Sequence, residues 1–86
     1  MSLGYGAFPS GVNVGYVHFD TVSGGLFRFL GGGSDKDIVN WKLIGGELFE
    51  NPDTSGWGLA QNGALWFNAS AGNFFGWNGS AVVYLG

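Results

Sequence analysis

Hydrophobic residues alternate with smaller or polar ones through much of the C-terminal third of the chain. Leu65 and Phe67 alternate with Ala64, Trp66 and Asn68, the period of two that marks a β-strand. Residues 68–72, Asn-Ala-Ser-Ala-Gly, supply a turn, since Asn bonds its own backbone and Gly takes the left-handed conformation. A return strand is predicted over 73–78, with Phe75 and Trp77 on one face. Asn78-Gly79 is the strongest two-residue hairpin signal in the chain, and a third strand follows over 81–85.

The same pattern occurs earlier. Shifting the chain by 48 positions lays residues 15–32, GYVHFDTVSGGLFRFLGG, on residues 63–80, GALWFNASAGNFFGWNGS. Gly15, Phe19, Gly24, Phe27 and Gly31 fall on Gly63, Phe67, Gly72, Phe75 and Gly79, while Asp20 meets Asn68 and Phe29 meets Trp77. The turn residues keep their places, and the pattern is read as a duplication. In the first copy the turn spans 20–24 and the return strand 25–30. A polar loop over 31–37 comes next, then a strand over 38–44 that alternates Val39, Trp41 and Leu43 against Asn40 and Lys42.

Between the copies, 45–62 reads as a connector with one short strand over 47–49 and a turn at Asn51-Pro52-Asp53. Nowhere do apolar residues hold helical spacing over three turns. Glycine at 18 of 86 positions also argues against helix, because each interior Gly costs about 1 kcal/mol there. The expected fold is all-β: a small antiparallel sheet forming one domain over 1–86. It is built from two repeated hairpin-plus-strand units, about 15–44 and 63–86. Hydrophobic content of 45% with 17% aromatics sets the chain apart from Gly-rich linkers and disordered segments.

Composition changes the picture in one respect. Only 10% of residues are charged, against about 25% in ordinary domains, and none from Thr54 to Gly86 is charged. So short a domain sits near the lower limit of independent stability. Without cysteine it has no disulfide, and with His18 as its only histidine a closed zinc site is not expected. Burial against a partner is the remaining source of stability. Arg28, Lys36 and Lys42 are too few and scattered to neutralise phosphates, so no nucleic acid is expected as partner. No apolar run reaches the roughly 20 residues that cross a bilayer, so no membrane is expected either. The N-terminal residues lack the basic and apolar regions of a signal peptide.

Catalytic chemistry has little support. His18, Asp20 and Ser23 are of the types found in a hydrolytic triad, which geometry must define. His18 falls on Trp66 in the shifted alignment, so an aromatic slot is the preferred role. Glu47, Glu50 and Asp53 match no calcium-loop spacing and read as a solvated turn. Gly31-Gly32-Gly33-Ser34 lacks the Lys-Ser/Thr of a phosphate-binding loop. No catalytic residue, metal ligand or cofactor is assigned.

The aromatic residues remain. Trp66 and Phe67 are neighbours on one strand, Phe74 and Phe75 on the next, and neighbours on a strand point to opposite faces. Both faces of this hairpin are therefore apolar. One covers the domain's own core, and the other requires a partner. The candidate interface residues are Trp57, Trp66, Phe67, Phe74, Phe75, Trp77, Val83 and Tyr84, with Trp57 expected to matter less to folding because it lies in the connector.

The run Gly63-Ala64-Leu65-Trp66-Phe67-Asn68, then Phe74-Phe75, Trp77-Asn78-Gly79-Ser80-Ala81 and the final Leu85-Gly86 resembles a hairpin module of tailed-bacteriophage structural proteins. It departs from that pattern at Val82, where Trp is frequent, and at Ala69 and Ala71, where Thr is usual. The resemblance implies a non-enzymatic protein of the virion, assembled as a homotrimer and bound to the major capsid protein or another virion protein. An 86-residue chain without a fibre shaft fits a capsid decoration (cement) protein. The alternative is a tail-fibre or tail-tip component whose exposed Trp residues stack on host-surface glycan.

Overall fold

The computed structural model describes residues 5–86. Six strands form one sheet in chain order: β1 (Val17–Phe19), β2 (Gly25–Phe29), β3 (Trp41–Leu48), β4 (Leu65–Asn68), β5 (Asn73–Trp77) and β6 (Val82–Tyr84). Two three-residue 3-10 turns, Ile38–Asn40 and Leu59–Gln61, are the only helical segments among the described residues. The fold is all-β, as the alternation predicts.

Two hairpins organise the sheet, and their registers match at a spacing of 48 residues. His18 faces Phe27 in the first, and Trp66 faces Phe75 in the second. Each turn closes on a glycine: Gly24 N–H donates to the Asp20 carbonyl and Gly72 N–H to the Asn68 carbonyl, both at 2.8 Å. These glycines have φ of 84° and 73°, a region that side chains disfavour. The connections beyond the hairpins differ, since residues 30–40 separate β2 from β3 while 78–81 suffice between β5 and β6.

The sheet is mixed, which corrects the expectation of an antiparallel one. β3 and β4 pair in parallel through Glu47↔Phe67 and Leu48↔Asn68; every other neighbouring pair is antiparallel. A parallel pair needs a crossover of a dozen or more residues, and 49–64 provides it. The segment read as a connector thus returns the chain to the end of the sheet from which β3 began.

β3 also differs from its expected bounds. Residues 38–40 form a 3-10 turn capped by Asp37, whose carboxylate accepts from Val39 N–H. The strand then continues through Gly45-Gly46 to Leu48 and absorbs the separate strand expected at 47–49. The glycines do not break it because they pair with Leu26 and Gly25 just past a bulge at Ile44. A Cβ on Gly46 would lie 2.5 Å from the Gly24 carbonyl oxygen, so only glycine lets β2 and β3 close there.

Side chains on one sheet face form the core. Phe27, Phe29, Trp41 and Leu43 come from the first half, Leu48 from the end of β3, and Trp66 and Trp77 from the second half. Irregular segments cover them. Phe8 from the N-terminal segment packs 5.1 Å from Phe27 and 4.9 Å from Trp41, ring centre to ring centre. Trp57 from the crossover meets Trp66 at 6.0 Å and Trp77 at 5.5 Å, both edge to face. Edge-to-face pairs add about 0.5–1.5 kcal/mol beyond area burial.

Candidate interaction surface

The opposite face of the sheet has no covering layer among the described residues. Strand alternation puts Leu65 and Phe67 of β4, Phe74 of β5 and Val83 of β6 at one end of it and Val17 and Phe19 of β1 at the other, with β2 and β3 between. Val17, Phe19, Leu65 and Phe74 are all exposed, at 50%, 53%, 41% and 49%. Phe67 and Phe74 face each other across strands and pack edge to face at 4.9 Å. Charge on this face is confined to the first half. Arg28 and Lys42 are cross-strand neighbours, and Glu47 lies at the parallel seam.

The residues expected at an interface divide into four groups. Trp57, Trp66 and Trp77 are buried in the chain's own core, which corrects their assignment to a surface. The reason is facing: Trp66 and Trp77 alternate inward, and Trp57 caps them from the crossover, so its position in a Gly-rich connector does not make it peripheral. Phe75 is half-buried on the same inner face, stacked on Trp66 at 6.5 Å and edge to face with Tyr84 at 5.6 Å. Phe67, Phe74 and Val83 lie on the bare face. Tyr84 shares the inner side of β6 but is 65% exposed, because β6 ends the sheet and the covering layer stops short of it.

Val17, Phe19, Ile44 and Leu65 belong to the exposed apolar surface and were not singled out from the sequence. A signal for Phe19 was present, since it occupies the position of Phe67 in the shifted alignment. Trp41 is fully buried, so all four tryptophans are internal.

Inner polar groups serve the fold. Asn51 Oδ1 accepts from Trp66 Nε1 and from Asn68 Nδ2, both at 2.9 Å. Asp20, buried at the first hairpin turn, accepts from Ser23 Oγ at 2.6 Å and from Gly6 N–H at 3.0 Å. His18 lies against Phe8 and Trp41, with Nε2 buried and unpartnered among the described residues. The three residues of the triad reading thus hold a turn and fill an aromatic slot. Asp53 is held below its ordinary pKa by the Ser55 hydroxyl and then the Ser55 N–H. Tyr5 donates its phenol proton to the Asp53 carbonyl. Burial, then the charges of Asp53 and Asp20, push that phenol well above its ordinary value. Among the described residues no pocket is present, and no group of three or more His, Asp or Glu is placed to hold a metal.

The two outer strands complete the surface. In β1, Phe29 N–H donates to Tyr16 O and Asp20 N–H to Gly25 O. Hydrogen-bonded pairs alternate along an antiparallel ladder, so the N–H and C=O groups of Val17 and Phe19 point away from β2. In β6, Leu85 N–H donates to Phe74 O and Asn78 N–H to Ala81 O, which turns the same groups of Val82 and Tyr84 away from β5. Neither strand contains Lys, Arg, Pro, Asp or Glu.

Compared with known proteins, the chain matches no family model, no curated protein and no solved structure.

Proposed function

We propose that the chain is a non-enzymatic structural subunit of a bacteriophage virion, a capsid decoration protein that self-associates as a homotrimer and docks on the shell through its bare sheet face. The observation that carries this reading is the asymmetry of the sheet. One face is closed by Phe8 and Trp57, while the other exposes Val17, Phe19, Leu65 and Phe74 to solvent. An apolar cluster such as Leu65, Phe67 and Phe74 on neighbouring strands marks a protein interaction site, and permanent interfaces resemble a domain core cut in half. A subunit that binds only the assembled shell stabilises it by mass action.

The tail-fibre reading relied on exposed tryptophan for stacking on glycan. All four tryptophans are buried, so that reading would have to use the exposed rings of Tyr16, Phe49 and Tyr84 instead.

The test is made on purified virions. The protein is expected at a copy number comparable with the major shell protein and is retained through a 1 M salt wash, where the screening length falls to about 3 Å and exposed ion pairs are lost. Mild denaturant, which solvates apolar and peptide groups, releases it. Phe74→Lys keeps the fold and the oligomer and abolishes particle binding. A few copies per virion, or glycan-array binding by the isolated protein, would overturn the reading.

A further inference from the structure

Open sheet edges template pairing with other chains, and soluble proteins blunt them with very short strands, lysine, proline, bulges or a covering segment. Here the outward backbone groups of β1 belong to Val17 and Phe19, those of β6 to Val82 and Tyr84. None of these four residues is charged, none is proline, and each is exposed. Both outer strands have the same three-residue length, but ladder bonds continue beyond them, over 15–20 and 81–86, so among the described residues both edges stay open in the same way.

Strand direction then restricts how they can be used. β1, β3, β4 and β6 all run the same way, since β3–β4 is the single parallel pair and the rest are antiparallel. A rotation about an axis along the strands therefore brings β6 of one copy beside β1 of the next, with both pointing in one direction. That contact is of the same kind as the β3–β4 seam inside each chain, where the end of one three-stranded meander meets the start of the next. A self-pairing of β6 with β6, or β1 with β1, would leave the other edge open in the dimer. A head-to-tail contact that closes leaves none.

We propose that β6 of one copy pairs in parallel with β1 of the next, joining copies edge to edge into a closed ring without free strand edges. The occupant of each edge is a second copy of this chain. The outward backbone groups of Val17 and Phe19 on one side meet those of Val82 and Tyr84 on the other, groups that the chain's own ladder leaves unused, and Val83 then shares the face of Val17 and Phe19. This rests on the self-association in the reading above and not on the identity of the shell.

The experiment uses Phe19→Pro and Tyr84→Pro, which remove an N–H that no intrachain ladder bond uses, with mass read by light scattering or sedimentation at micromolar concentration. The native chain is expected at a fixed multiple of 9.0 kDa. Each variant alone falls short of that closed mass. Mixing the two restores one intact contact, β6 of the Phe19→Pro chain with β1 of the Tyr84→Pro chain, and gives a species of two chains that neither forms alone. Where a proline variant loses its β-sheet circular dichroism, Phe19→Lys and Tyr84→Lys at the same exposed positions replace it with the same expectations. A monomeric native chain overturns both the ring and the self-association. A native oligomer whose mass neither edge variant changes overturns the ring alone. A single variant that still forms dimers through its intact edge shows a two-fold contact and also overturns it.

Discussion

Truncating Asn51 tests how the crossover is fastened to the sheet. Its Oδ1 accepts two hydrogen bonds at 2.9 Å, from Trp66 Nε1 and Asn68 Nδ2, and both donors belong to buried residues, 1% and 7% exposed. Asn51→Ala leaves both without an acceptor, and an unsatisfied buried donor costs about 1–3 kcal/mol, so the pair costs about 2–6 kcal/mol. A domain of this size loses roughly 4–8 °C of Tm per kcal/mol, so a fall of at least about 8 °C is expected. Tryptophan fluorescence and circular dichroism during thermal unfolding measure it. Asn51→Asp keeps an acceptor oxygen and should retain more stability than the alanine variant. Trp66→Phe removes one of the two donors, so combining it with Asn51→Ala should cost less than the sum of the separate losses. A Tm for Asn51→Ala indistinguishable from the native value would refute the claim that this side chain satisfies buried donors.

Three other outcomes follow from the packing. Trp57→Ala should cost about 3–5 kcal/mol by urea unfolding, as large-to-small changes in a core do, although the residue sits in irregular chain. His18→Phe should preserve or raise Tm, because it keeps a ring against Phe8 and Trp41 and removes a buried nitrogen that has no partner among the described residues. Tyr5 governs alkaline stability. Its folded pKa lies above the ordinary phenol value, so its contribution is complete below the unfolded pKa of about 10 and declines as pH rises above it. Tyr5→Phe should flatten that alkaline loss in a pH series of Tm values.

The strands of the second hairpin were legible because alternation, a turn rich in Asn and Gly, and Asn78-Gly79 all point to the same elements. β3 was less so. Gly45-Gly46 reads as an interruption in one dimension, whereas the bulge that accommodates it exists only once β2 lies alongside. The parallel seam was not legible at all, since nothing local in 49–64 specifies on which side the chain returns. Neither was the covering layer, because Phe8 and Trp57 reach the core from segments with no periodicity. Facing was the harder question at the surface. Alternation separates Trp66 from Phe67 but does not say which of them turns inward. Asn68 shares the face of Trp66 and makes that face look the more polar, yet it is buried because Asn51 accepts its amide proton.

The absence of charge in the second half bears on how that half would select the partner proposed for it. Charged rims steer encounter and reject wrong partners, and 54–86 has no charged side chain. Discrimination there must come from shape and register, because a one-residue slip moves every side chain to the opposite face. The turns that set the register carry correspondingly more weight. Asn78 Oδ1 accepts from Ser80 N–H, Ser80 Oγ and Ala81 N–H, and Gly79 has φ of 98°, so the step from β5 to β6 is held from several sides. Long-range steering is left to Arg28, Lys42 and Glu47 in the first half of the bare face. Salt should therefore slow docking through these three residues while leaving dissociation, governed by the apolar contacts of β4–β6, nearly unchanged.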